Sequence, residues 1–262
     1  MIVATAAGGA AWRRRWYPRL APVAGVAAFL LLWQGLVAGG VLPPSLVPPP
    51  SVIPGTFYRE LASGIWAKVV AESLGHYLIG VGAGSLFGIA FGVVVGLSPR
   101  IEAAQEGIAR LLRPIPPLAW IPFALIWFGV SETAAAFIIA ITVFWLNYFA
   151  TLGAVKMVDP GYLELARAFG HGALLDRLLK IVLPAASPGI VSGLRAGLGQ
   201  GWMAVVAAEL FGIPGIGQRM MDAAGLLATN IVVLYMLTIA VLYGLSDWLF
   251  QIVSRRILAW TY

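Results

Sequence analysis

Residues 155–184 read VKMVDPGYLELARAFGHGALLDRLLKIVLP, the only long stretch between apolar segments that mixes charge with helical periodicity. Leu174, Leu175, Leu178, Leu179 and Val182 recur at helical spacing, with Asp176, Arg177 and Lys180 between them. The spacing predicts two short amphipathic helices bent at Gly170-His171-Gly172. Such a piece suits a rigid, half-buried knob presented to something outside the lipid. A plain loop tying two spans together fits the same pattern.

The surroundings of this stretch set the class of protein. The chain has 262 residues, 60% of them hydrophobic and 11% charged, with a mean hydropathy of +0.90. A soluble domain is about one quarter charged, so a water-exposed surface is excluded and an integral membrane protein is implied. The absence of cysteine removes disulfides, thiolate nucleophiles and cysteine metal sites. His76 and His171 are the only histidines. The net charge of +6 is spread along the chain instead of forming a basic domain, so no nucleic acid partner is expected.

Upstream, Arg13, Arg14, Arg15 and Arg19 precede an apolar run from Leu20 to Val41 that is long enough to span and lacks a small-residue cleavage site. Residues 42–57 hold Pro43, Pro44, Pro48, Pro49, Pro50 and Pro54, a density that predicts an extended external connector. Residues 56–67 predict a short interfacial helix. A second span over 68–97 carries Gly80, Gly84, Gly88, Gly92 and Gly96 at intervals of four, which predicts a smooth face packed at the centre of the bundle.

Ile101 to Leu112 begins a charged amphipathic helix. The run from Pro114 to Val130, with four prolines, predicts a kinked or broken third span beside a cavity. Residues 133–152 predict a fourth span, 185–210 a fifth with Arg195, and 230–252 a sixth, with an external turn over 211–217. With both termini inside, thirteen Lys and Arg lie in cytoplasmic segments, three (Arg59, Lys68, Arg219) lie outside and Arg195 lies in a span. That bias fits the positive-inside rule.

The sequence resembles the membrane permease subunit of binding-protein-dependent ABC importers, in the branch that carries nitrate, bicarbonate, taurine, alkanesulfonates, aromatic carboxylates or thiamin-precursor pyrimidines. The resemblance extends from about residue 65 to the end. Its signature, Glu-Ala-Ala, three residues, Gly, about nine residues, then Ile-x-Leu-Pro, stands here as Glu164-Leu165-Ala166, Gly170 and Ile181-Val182-Leu183-Pro184. Leu165 replaces the middle alanine, and ten residues separate Gly170 from Ile181, which shifts the bend toward Gly172. Arg113-Pro114-Ile115-Pro116, Trp127-Phe128-Gly129, residues 197–202 with Ala208-Glu209, and Gly215-Ile216-Gly217 carry further likeness.

The resemblance implies an all-α integral membrane fold: six transmembrane helices with cytoplasmic coupling helices, the type I ABC importer arrangement. Residues 1–19 and 255–262 are then cytoplasmic ends, and 20–254 the permease domain with its 155–184 coupling loop. It implies a second permease copy, two ATPase subunits that use ATP and Mg, and an external solute-binding protein. The chain has no Gly-rich loop ending in Gly-Lys-Ser or Gly-Lys-Thr, so no catalytic residue, cofactor or metal is expected in it. Glu164, Ala166, Gly170, Gly172, Leu175 and Pro184 are the expected ATPase-coupling residues.

Polar and aromatic residues within spans, Trp145, Asn147, Gln200, Trp202, Met203 and Glu209, are the pathway candidates, because an unpartnered polar group in lipid is costly. Helix packing is the alternative for each. Arg195 either offers a positive charge to an anionic substrate or, the favoured reading, snorkels and pairs near the cytoplasmic side; His76 and His171 are expected to be solvated or to cap locally. An ion-coupled secondary transporter, with Glu209 and Asp247 as its few intramembrane carboxylates, is the competing class. A membrane enzyme is disfavoured by the lack of paired acid-base groups.

Overall fold

A computed structural model describes residues 6–170 and 173–257, and every regular element among them is helical. In chain order these are α1 (Ala6–Ala38), a single tight turn (Pro50–Val52), α2 (Ile53–Ala62), α3 (Ile65–Leu97), α4 (Pro99–Leu112) and α5 (Pro117–Phe128). Then follow α6 (Glu132–Lys156), α7 (Pro160–Ala168), α8 (Leu174–Arg177), α9 (Leu183–Glu209), α10 (Ile216–Gly225) and α11 (Thr229–Ile257).

The sequence marks these boundaries chemically. Ser98 and Ser131 cap α4 and α6 by accepting from the amides of Ile101 and Ala134, satisfying donors that a first turn leaves free. Glu132 and Lys156 sit at the ends of α6 that favour their charges. Gly64 and Gly129 have φ of +76° and +67°, which lets the chain turn at little cost before α3 and after α5.

Helix α6 is held between α3 and α9. A Cβ on Gly84 would fall 2.5 Å from the Ala140 carbonyl oxygen, on Gly88 2.6 Å from that of Phe144, and on Gly92 2.7 Å from Thr151 Cβ. The five glycines on α3 are therefore a contact face for the α6 backbone, as their spacing predicted. On the other side, Gly189 and Gly193 admit the methyl groups of Ala154 and Ala150, and Gly197 abuts Asn147. Close backbone approach gains dispersion contacts that apolar burial alone cannot supply in lipid. Tyr77, Val81, Ile139, Val143, Trp202 and Val205 fill the join of the three helices, with Tyr77 and Trp202 stacked at 4.3 Å.

The expectation of six spans is met only in part. Four helices are long and apolar enough to cross a membrane: Ala21–Ala38 within α1, α3, α6 and most of α11. A fifth is obtained if α4 and α5, bent by 96° to each other, count as one span. Residues 114–130 do not form a span alone, because α5 has only 12 residues, about 18 Å of rise against about 30 Å of hydrocarbon. Helix α9 is long enough at 27 residues, but its glycines, serines, prolines, Arg195 and Gln200 keep it out of the apolar set. It can be this polar because it packs on α6, α3, α10 and α11.

The predicted interfacial helix lies three residues earlier than its pattern suggested, at α2. The connector before it is irregular, with Gln34 of α1 accepting from the Ser51 amide.

Candidate functional site

A cavity of about 500 Å³ opens where α5, α6 and α9 meet the α4–α5 corner. Trp120, Ile141, Leu146 and Phe149 give it an apolar and aromatic wall, while Arg113, Thr142, Trp145 and Gln200 supply its polar groups. The Trp145 indole N–H has no hydrogen-bond partner, although it is closed off from solvent. Thr142 donates to the Ile138 carbonyl and keeps its oxygen lone pairs. The broken third span does lie beside a cavity, because its prolines turn the chain at Arg113–Pro117 and leave that corner open.

Of the six residues singled out in the spans, Trp145 and Gln200 border this cavity. Met203 is exposed, one helical turn from Gln200 on α9. The other three are buried between helices, away from it. Asn147 donates to Ser85 Oγ at 3.1 Å and to the Val143 carbonyl. Trp202 stacks on Tyr77 and donates to Ser246 Oγ.

Glu209 has no exposed surface. Its carboxylate meets His76 Nδ1 at 2.9 Å, Ser73 Oγ at 2.9 Å and the Gly217 amide at 2.8 Å. Ser73 in turn accepts from the Ile216 amide. The acid thus satisfies the first turn of α10 and ties it to α3. It occupies the space that a Cβ on Gly215, at φ +153°, would need. His76 is accordingly 3% exposed and paired, not solvated as expected, because α3 carries it under the 211–217 turn.

Two further polar ties hold the outer helices. Glu60 of α2 receives Arg219 of α10 at 2.7 Å and the Tyr235 hydroxyl of α11 at 2.8 Å. Burial alone would raise the pKa of Glu60, but the hydrogen bonds from Arg219 and Tyr235 outweigh it and leave the carboxyl below its ordinary value. Sequence reading missed this group, since Glu60 looked like one charge of an interfacial helix. Arg195 pairs in two-pronged fashion with Asp247 of α11, at 2.7 and 3.0 Å. Asp247 is thereby committed to a structural pair and does not stand free for proton relay.

The 155–184 stretch forms the two short helices its pattern predicted, α7 and α8, with Gly170 at φ +85° between them. Glu164 and Ala166 lie on α7 and Leu175 on α8. His171 and Gly172 fall outside the described residues. Phe169, Leu174, Leu175 and Leu179 are each more than half exposed. From α8 the chain enters α9 without a break, through one wide turn over Leu178–Val182 in which the Leu183 amide reaches back to the Leu178 carbonyl. Pro184 follows at once. It has no amide hydrogen, and its ring would clash with the carbonyl four residues back in a regular helix.

The family described as the inner membrane component of binding-protein-dependent transport systems matches residues 84–259. The chain belongs to this family. The permease is 32% identical to the taurine transport system permease protein TauC of Escherichia coli, over 90% of this chain and 87% of that one. It is 34% identical to the bicarbonate transport system permease protein CmpB of Synechocystis, over 81% and 79%. To the nitrate import permease protein NrtB of Leptolyngbya laminosa it is 33% identical, over 88% and 86%.

Its fold is similar to that of a chain of the inward-facing MetNI methionine ABC transporter. The match covers 75% of this chain and 96% of that one, with a TM-score of 0.60 at 21% identity. The protein is therefore a multi-pass membrane permease of an ABC importer, and ATP hydrolysis takes place in a separate subunit. Among the described residues, no group of three His, Asp or Glu stands together as a metal site.

Proposed function

We propose that this permease pairs with a second copy to form the pathway for a small anion. An external binding protein delivers the anion, and two ATPase subunits that use ATP and Mg seat on the α7–α8 corner. The names of the relatives, which carry taurine, bicarbonate and nitrate, support an anionic solute. In this reading both termini are cytoplasmic, with residues 1–19 and 255–262 as the ends of a 20–254 permease domain. Helix α9 and the bent α4–α5 pair join the four apolar helices to make six passes.

The observation that carries the proposal is the exposure of Phe169, Leu174, Leu175 and Leu179, the last three on a stretch that runs from Leu174 into the central helix α9 without a break. A monomer gains nothing by leaving four large apolar side chains of one short stretch exposed. Glu164, Ala166, Gly170, Gly172 and Pro184 shape this corner in our reading. Closure of the ATPase pair then moves α9 against α6 and turns the cavity lined by Trp145 and Gln200, with Met203 beside it, from one side to the other. Switching a population from 1:99 to 99:1 takes roughly 5.5 kcal/mol of differential binding. Asn147, Trp202 and Glu209 hold the helices that move.

The test is reconstitution of the permease with its partner ATPase and binding protein. The loaded binding protein is expected to stimulate ATP hydrolysis and anion uptake, and F169D with L175D to abolish both while the chain still inserts. Uptake by the permease with no ATPase bound would overturn the reading in favour of an ion-coupled carrier.

A further inference from the structure

Two cavities, of about 500 and 520 Å³, share a wall made by Arg113 and Phe149. They differ in charge. No Asp or Glu lines the first, which offers the Arg113 guanidinium, the Gln200 amide and the unpartnered Trp145 indole N–H. The second, under α4, is lined by Glu102, Glu106 and Arg110 besides Arg113, so its charges balance. These carboxylates already hold cations: Lys156 pairs with Glu102, and Arg110 with Glu106. Arg113 has no carboxylate partner among the described residues. Its guanidinium carbon rests 4.4 Å from the centre of the Phe149 ring, which orients the group without neutralising its charge.

We propose that Arg113 is the charge filter of the pathway, the residue that makes the first cavity accept anions and marks its boundary with the charge-balanced second one. The inference rests on the anion-importer reading above and adds the residue that enforces it. A planar, permanently charged fork with several donors suits a carboxylate, a sulfonate or another oxyanion. The aromatic wall takes whatever apolar part the solute carries.

The native chain has no cysteine, so single thiols report on the cavity without background. Thr142→Cys and Ile141→Cys, each placed in the assembled transporter in membrane vesicles, are labelled with methanethiosulfonates carrying either a sulfonate or a trimethylammonium group. The readout is the ratio of the two rates, followed by the mass of this chain. With Arg113 present the anionic reagent is expected to be favoured. Arg113→Gln is expected to lower the ratio about tenfold and Arg113→Lys to keep it within about threefold, since lysine retains the charge.

A ratio unmoved by Arg113→Gln overturns the filter, as does failure of both thiols to react in every background. The two levels of the argument separate cleanly. A tenfold fall in the ratio with no anion uptake by the complete wild-type transporter leaves the filter standing and removes the anion-import reading. Equal uptake by wild type and Arg113→Gln with an unchanged ratio does the reverse.

Discussion

His76 Nδ1 lies 2.9 Å from Glu209 Oε1, with the two side chains 3% and 0% exposed. The residues are 133 positions apart, and their contact fixes the far end of α9 and the start of α10 to α3. Removing the acid strands the Gly217 amide, Ser73 and His76 together. Glu209→Ala is expected to cost about 3–5 kcal/mol, as for other broken buried pairs. Glu209→Gln, which keeps the shape, is expected to cost about 1–3 kcal/mol. Thermal unfolding of the purified permease checks the order; an alanine variant as stable as the parent would refute the clamp.

The glycine faces give a second test. A methyl on Gly84 meets the Ala140 carbonyl oxygen, which belongs to helix backbone and cannot swing aside. Gly84→Ala is expected to cost about 1–3 kcal/mol by overpacking. Gly82→Ala, where a Cβ meets nothing within 4 Å, is expected to be neutral or slightly stabilising through its better helix propensity. Unfolding midpoints of the two variants should diverge.

Glu60 sets a pH limit. Its folded pKa lies below the ordinary value of 4.5, so the unfolded chain binds this proton more tightly. The stability it contributes is complete above pH 4.5 and is lost as the pH falls through the lower, folded value. Melting curves are expected to stay level down to about pH 4.5 and then drop in the parent. Glu60→Gln removes the Glu60 share of that drop.

Gly170 tests the corner. Nothing lies within 4 Å of a Cβ there, so Gly170→Val meets only the strain of φ +85°, about 1–3 kcal/mol. Membrane insertion is expected to stay normal, while co-purification of the ATPase and solute uptake fall. Full uptake by this variant would show that the bend need not keep its shape.

The Arg195–Asp247 pair joins α9 to α11. Arg195→Ala is expected to lower stability, and exchange of the two residues (Arg195→Asp with Asp247→Arg) to recover most of the loss. A double-mutant cycle read by unfolding measures the coupling.

Much of this architecture is legible in the sequence where the signal is local. The prolines of 43–50 mark the irregular connector, whereas Pro54 falls in the first turn of α2, where proline is tolerated; the α3 glycines announce a close contact by their spacing, and the leucines of 174–182 declare an amphipathic helix. Gly189, Gly193, Gly197 and Gly201 repeat the same spacing on α9 but pass unnoticed among its polar residues. What a periodic face cannot state is its partner. Glu209 reads as a pathway acid because a buried carboxylate looks costly until Ser73, His76 and the Gly217 amide arrive from distant parts of the chain. The number of apolar helices is obscured for a related reason: α9 buries one face against α6 and α3, so its length is not matched by an apolar surface all round.

The wide turn at Leu178–Val182 holds one residue more than a regular turn would. Because the extra residue is taken up within that turn, excision of a single position there closes it to an ordinary turn and leaves the corner and α9 in nearly the same relative setting. The chain thus carries a slack link between the surface that receives force and the helix that delivers it, and a one-residue difference in spacing is absorbed at that link without swinging the corner round.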